Sequence, residues 1–227
     1  MTDLRSQLRM LQCCDSAFPS GAFAFSSGLE TLVNEGRVKS ATDLHQLLDG
    51  QVIPRWLDFD RPFLRQAFAS AQDPDALYQI DTRCHLQNTV ERLARASRRI
   101  GRSLLTVHAR IATPGAKAYQ DHLRANAPPE ATGYEPIVQG MLGAGLGLDL
   151  SQTEVGALNT VVTGVTSAAV RLGKLGALDA QAVLAAAANA MVAGLSCPAP
   201  EYPGAFAPLV EIAAQRRTAE QISLFAN

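Results

Sequence analysis

The chain has 227 residues, 47% of them apolar and 18% charged, enough for one domain with a substantial core. Its 20 Lys and Arg against 21 Asp and Glu leave a formal charge of −1, without the basic excess of a general nucleic-acid binder. Four cysteines without C-x₂-C spacing (Cys13, Cys14, Cys84, Cys197) read as reduced thiols of a cytosolic protein, and the opening Met-Thr-Asp-Leu-Arg-Ser-Gln lacks the apolar core of a secretory signal.

Leu4, Leu8 and Leu11, at i, i+4 and i+7, mark the apolar face of a first helix. The stretch that follows, Asp15 to Glu30 (D-S-A-F-P-S-G-A-F-A-F-S-S-G-L-E), organises the chain. It places Phe18, Phe23 and Phe25, three of the eight Phe, within eight positions. Pro19 cannot continue a helix, and Ser20-Gly21 offers a turn, so the rings are expected on a bent, extended connection. Ser27-Gly28-Leu29-Glu30 has the form of a capping box opening a short second helix that Gly36 closes. Two readings stand side by side. The stretch is a hydrophobic plug fixing the angle between the first two helices, with Glu30 a cap, or it is an adhesive surface for a partner.

Ser40 and Asp43 start a third helix that carries Trp56, with a break expected at Pro54 and another at Pro62. Asp73-Pro74 opens a long helical region to about Ala112, interrupted near Asn88-Thr89. In its second half Leu93, Ala96, Ile100, Leu104, Val107 and Ile111 form one apolar face. Arg92, Arg95, Arg99, Arg102 and Arg110 fall within about a quarter of the circumference beside it. That stripe is either a solvated face or a surface for an acidic partner, whose carboxylates guanidinium groups bind in bidentate fashion.

Pro114-Gly115 ends this region, a short helix 116–125 follows, and Asn126–Gly133 is a loop. Pro136–Leu148 contains Gly140, Gly143, Gly145 and Gly147, a composition suited to close backbone approach. Ser151-Gln-Thr-Glu154 resembles a second capping box leading into a seam of Val155, Leu158, Val162, Val165, Ala169 and Leu172. Asp179 caps an Ala-rich helix to Leu195. The apolar runs 155–170 and 182–195 are shorter than a membrane span and are expected as buried helices. A Pro-rich loop, Ser196–Gly204, precedes a final helix at about 205–222. No strand-like alternation occurs. The chain therefore reads as all-α, a single-domain bundle of roughly ten helices over 1–227. Its C-terminal segment 205–227 hangs on the Pro-rich loop and is expected to move as a unit.

Catalytic chemistry is missing from the pattern. Gly173-Lys174 lacks the upstream Gly and following Ser or Thr of a phosphate loop, and the glycines at 143–147 do not spell G-x-G-x-x-G. His45, His85, His108 and His122 show no H-x₃-H spacing. Cys84-His85 supplies half of a soft-ligand site, although neighbours on a helix point about 100° apart. No enzyme is expected.

Asp15–Glu30 closely resembles the signature of the UreF family of urease accessory proteins, with Phe25 where the family places a polar aromatic. Three later stretches are similar to the same family in order: Arg92–Leu105 (R-L-A-R-A-S-R-R-I-G-R-S-L-L), Ser167–Gly176 (S-A-A-V-R-L-G-K-L-G) and Glu211–Phe225. In the last, Arg216, Leu224 and Phe225 match, whereas Arg217, Thr218 and Ser223 replace the usual His, Glu and Arg. The resemblance implies a non-catalytic, cytoplasmic, dimeric helical adaptor in nickel insertion. It would bind a UreD/UreH-type protein, recruit a UreG-type GTPase and dock on apo-urease. Nickel and GTP would be handled by those partners, with no cofactor or metal ligand in this chain and no nucleic-acid or membrane contact. Phe18, Phe23, Phe25, Glu30, Arg95, Arg99, Arg102, Arg216, Leu224 and Phe225 are the partner-binding candidates. The alternative is a small cytosolic nickel carrier using Cys84 and His85.

Overall fold

The computed structural model describes residues 4–22, 25–126, 131–204 and 206–216. Among them the chain is all-α, with no strand. It forms α1 (Leu4–Cys14), α2 (Leu29–Asn34), α3 (41–69), α4 (Pro74–Gln87), α5 (Glu91–Arg110), α6 (Ala116–Asn126), α7 (Glu135–Gly145), α8 (Leu150–Arg171), α9 (Ala177–Ser196) and α10 (Pro208–Arg216).

The helix starts divide by backbone conformation. Ser40 caps α3 in a reciprocal box with Asp43, and Asp73 accepts from Asp75 N and Ala76 N ahead of Pro74, as the sequence predicts. The box expected at Ser27–Glu30 does not form. Ser27 (φ 48°) and Gly28 (φ 82°) are both left-handed, whereas a capping side chain needs an extended N-cap, and α2 begins on Gly28 without a side-chain bond. At α8 the box is Asp149 with Gln152, two residues before the expected one, which releases Glu154 for another task. α9 starts after Gly176, so Asp179 lies in the first turn, where its charge still suits the helix dipole.

Neither Pro54 nor Pro62 breaks α3. Each follows a wider, π-type turn, Leu48–Val52 and Trp56–Asp60, which makes room for the proline ring. A proline strips the carbonyl four residues earlier of its helical donor, and both stripped carbonyls find another. Gly50 O accepts from Gln51 Nε2 at 2.8 Å, and Asp58 O accepts from Gly204 N in the Pro-rich loop at 2.9 Å. The prolines thus shape one long helix and tie a distant loop to it.

α7 is the central element, wedged between the last part of α3 and α5. Its glycines explain the closeness: a Cβ at Gly140 would overlap Leu64 O, one at Gly143 the Thr153 side chain, and one at Gly145 Pro114 O. One core cluster joins α2, α3, α8, α9 and α10 through Leu44, Leu48, Trp56, Leu158, Val162 and Val210. A second joins the Phe-rich turn to α3–α7 through Phe18, Phe63, Leu77, Tyr119, Tyr134 and Met141.

Three amphipathic readings are redrawn by packing. Leu4, Leu8 and Leu11 of α1 face outward, 75%, 67% and 63% exposed. α1 is turned over because Ser6 Oγ and Arg9 Nη1 donate to Gly147 O and Leu146 O, both at 3.0 Å, satisfying carbonyls at the end of α7. On α5, Ile111 is exposed and the deepest positions include Ala94, Arg98, Gly101, Leu105 and His108, because α6, α7 and the turn cover more than one side. Contrary to expectation, the Ala-rich α9 is mostly exposed, burying only Ala180, Val183, Ala187 and Met191. It is, among the described residues, the one helix whose length and composition would suffice for a membrane span.

Candidate functional site

The Phe-rich turn packs onto α5. Phe18 and Phe25 are buried, Phe18 with its ring centroid 5.3 Å from that of His108 and Phe25 with the Arg99 guanidinium 5.7 Å above its ring. Ser103 Oγ on α5 donates to Pro19 O at 2.9 Å and anchors the bend. Glu30 is buried in the first turn of α2, and Phe23 lies outside the described residues. The two described rings therefore sit as a plug, while Asp15, Ser16, Ala17, Pro19 and Gly21 are exposed.

Under the turn lies a cavity of about 110 Å³ walled by Phe25, Arg55, Asp60, Glu135, Gln139 and Thr160, among others. A second, of about 80 Å³, lies beneath α1, and Ala22, Glu135, Gln139 and Thr160 line both. Burial, reinforced by the Asp60 charge, pushes the Glu135 carboxyl up to about 8 against the opposing bond from Gln139. Burial also raises Asp60, opposed by Arg55, whose Nη1 lies 2.9 Å from Asp60 Oδ2. A proton on Glu135 at neutral pH spares the cavity a second buried negative charge.

The arginine stripe divides. Arg95 is exposed, 3.8 Å from Glu91, and Arg99 is exposed above Phe25. Arg102 is half-buried and structural: its Nε donates to Thr132 O at 2.9 Å and its Nη2 to Thr132 Oγ1 at 3.3 Å. Arg98, which sequence reasoning passed over, is buried, donating to Tyr134 Oη at 2.6 Å and Glu91 at 2.9 Å. Gly101 lets the 133–135 backbone pass against α5, since a Cβ there would overlap Gly133 O.

The same loop is held from α4. Fully buried Asp81 accepts from Gly133 N, Tyr134 N and Tyr119 Oη. Burial pushes its carboxyl up to about 6 despite those bonds. A second buried junction is centred on Arg61, 4% exposed, which uses every guanidinium donor. Nε and Nη2 bond Glu154 at 3.0 and 3.3 Å, and Nη1 and Nη2 bond the carbonyls of Gly194, Leu195 and Cys197 at the end of α9. Nothing in the sequence singled out Arg61 or Asp81. An Asp inside a helix carries no signal until the loop is seen to return to it.

At the other end of α5 three distant segments converge. Ser27 and Gly28 of the turn, Arg92 and Ala96 of α5, and Ala214 of α10 line one small cleft. α10 buries Val210, Ala213 and Ala214 there, and Arg216 lies 3.8 Å from Glu35. Leu224 and Phe225 lie outside the described residues. Glu30, Arg95, Arg99 and Arg216 thus belong to the elements meeting at this edge, whereas Phe18 is buried in the core and the half-buried Arg102 is tied to Thr132.

Cys84 and His85 do not come together as a metal site. Cys84 is buried with its thiol pushed well up by burial, and His85 Nδ1 bonds Tyr134 Oη at 2.9 Å. Among the described residues no three His, Cys, Asp or Glu side chains cluster to hold a metal ion.

Comparison with known proteins gives one answer. The family model described as UreF matches residues 38–188. That span starts after the Phe-rich turn. The urease accessory protein UreF of Agrobacterium fabrum (strain C58) is 34% identical over 179 residues, 79% of this chain and 76% of that protein. The one from Trichodesmium erythraeum (strain IMS101) is 28% identical over 190 residues, 81% and 79% of the two chains. The one from Paenarthrobacter aurescens (strain TC1) is 29% identical over 224 residues, 96% and 97%. With the model match covering more than half its length and the all-α architecture in agreement, the chain belongs to the UreF family of urease accessory proteins.

Proposed function

We propose that this chain is a non-catalytic adaptor in nickel insertion into apo-urease. It bridges a UreD/UreH-type protein and a UreG-type GTPase and couples GTP hydrolysis by the latter to nickel delivery. It works as a cytoplasmic homodimer, needs no cofactor of its own, and touches neither nucleic acid nor membrane. The observation that carries the reading is the edge where the turn, α5 and α10 meet, with Arg95 and Arg99 exposed beside it. Segments far apart in sequence meet there, and the exposed guanidinium groups beside them are of the kind an acidic partner recognises. Residues 217–227, with Leu224 and Phe225, are assigned in this reading to binding the UreD/UreH-type partner.

The test is co-expression with UreD/UreH-type and UreG-type proteins, followed by purification and GTP hydrolysis assay. A stable complex that forms with wild type and weakens with Arg95→Glu/Arg99→Glu supports the reading. Failure of the wild-type chain to retain either partner at low salt removes it.

A further inference from the structure

The two readings of the Phe-rich turn, core plug and partner surface, meet at one contact. Phe25 is 6% exposed, and it belongs to the core cluster that also holds Ile100 and Leu104 of α5. Arg99 is exposed, yet its guanidinium lies 5.7 Å from the centroid of the Phe25 ring. A cation within about 6 Å of an aromatic centroid is attracted by the ring quadrupole. A buried ring thus holds a charge at the surface.

The ring itself is fixed in place. Phe25 N donates to Ala22 O at 3.1 Å, and six residues earlier Pro19 O accepts from Ser103 Oγ at 2.9 Å. Ser103 stands four residues after Arg99, one turn further along the same side of α5. The turn is therefore fastened to the helix that carries the guanidinium.

The neighbouring arginines are engaged differently. Arg98 donates to Glu91 at 2.9 Å, and Arg102 is tied to Thr132. Arg95 Nε stands 3.8 Å from the same Glu91 carboxylate, a solvent-exposed pair that orients it weakly. Among the described residues no carboxylate pairs with Arg99, and its guanidinium makes no hydrogen bond. Immobilising a side chain as rich in rotamers as arginine costs affinity when a partner binds. A guanidinium already held against a ring has given up part of that freedom beforehand, while its N–H groups stay available to a carboxylate.

We propose that Phe25 is the positioning residue for Arg99. The buried ring presents the guanidinium to a carboxylate of the acidic partner, so the turn takes part in recognition through α5 and not by a contact of its own. This rests on the reading that Arg95 and Arg99 bind that partner. It requires an aromatic ring at position 25, where the core alone requires only apolar bulk.

The experiment is a double-mutant cycle on the full chain. Phe25→Leu and Arg99→Ala are made singly and together, and affinity is measured for the UreD/UreH-type and UreG-type proteins. Phe25→Leu keeps an apolar group in the core and removes the quadrupole. It should lower affinity about two- to fivefold for the partner whose binding depends on Arg99. In the Arg99→Ala background the same change should have no effect, and Phe25→Tyr, which keeps a ring, should bind like wild type. Circular dichroism checks each variant, and Phe25→Met replaces Phe25→Leu if the latter loses helicity. A purely structural role for Phe25 would lower affinity equally in both backgrounds. Equal losses, unchanged affinity in the ring-free variant, or weakened binding in Phe25→Tyr overturns the proposal and leaves the surface reading standing. If Arg99→Ala alters neither affinity, the assignment of Arg99 to the partner surface fails, and the proposal fails with it.

Discussion

Replacing Arg61 by Met tests the junction where α3, α8 and α9 are fastened together. The substitution keeps an unbranched stem of similar reach and removes five bonds, two to Glu154 and three to the last carbonyls of α9. Breaking a buried ion pair from one side costs about 3–5 kcal/mol, because the remaining charge stays buried. The low end applies here. Glu154 keeps Arg65 Nη1 at 2.8 Å, and Gly194 O keeps the Cys197 N–H at 3.2 Å. Cys197 is exposed, so water can replace part of what is lost there. A loss of about 3 kcal/mol corresponds to roughly 6–12 °C in melting temperature for a chain of this size. Urea unfolding should show a lower midpoint at unchanged slope. In Glu154→Gln the same Arg61→Met change should cost roughly 1–3 kcal/mol less, since the pair is coupled. A loss under about 1 kcal/mol, or equal losses in both backgrounds, would refute the assignment of Arg61 as the fastening.

Four further outcomes follow from the same geometry. Gly140→Ala should destabilise by about 1–3 kcal/mol by overpacking against Leu64 O, whereas Gly164→Ala, with open space around it, should gain up to about 1 kcal/mol in helix propensity; denaturation midpoints moving the other way would contradict the packing. Glu135, raised from 4.5 to about 8, favours the fold fully below pH 4.5 and loses that contribution as pH climbs to 8; Glu135→Gln should flatten the stability–pH curve over that window, and an unaltered curve would place the titration elsewhere. Arg95→Glu/Arg99→Glu should leave circular dichroism unchanged while lowering partner affinity, an effect that salt should mimic in the wild type. Deleting 217–227 should preserve cooperative melting, because Val210, Ala213 and Ala214 remain packed, yet abolish binding of a UreD/UreH-type protein; loss of cooperativity would make that segment part of the core.

What the sequence alone determined is whatever depends on near neighbours. Helical periodicity, the Ser40 and Asp73 caps and the Pro114-Gly115 stop are set within a turn or two of chain, and they sufficed for an all-α reading. The glycines of α7 foretold a close approach because lost side chains in a helix need a reason. The Phe-rich turn and the R-R-I-G-R segment carried the family resemblance. Tertiary structure decided everything that depends on which surface meets which. Leucine spacing defined an apolar stripe on α1, but two polar bonds to the end of α7 turned that stripe outward. The wheel put five arginines on one arc, yet the returning 132–134 loop took Arg102 inward and left Arg95 and Arg99 outside. Prolines that locally signal a break became part of a continuous α3, because π-type turns made room for the rings and Gln51 Nε2 and Gly204 N replaced the donors they removed. Asp81, Arg61 and the Cys13–His108 pair join residues 52, 93 and 95 positions apart. No local pattern encodes such distances, because burial and desolvation, which give these groups their chemistry, exist only once the helices have packed.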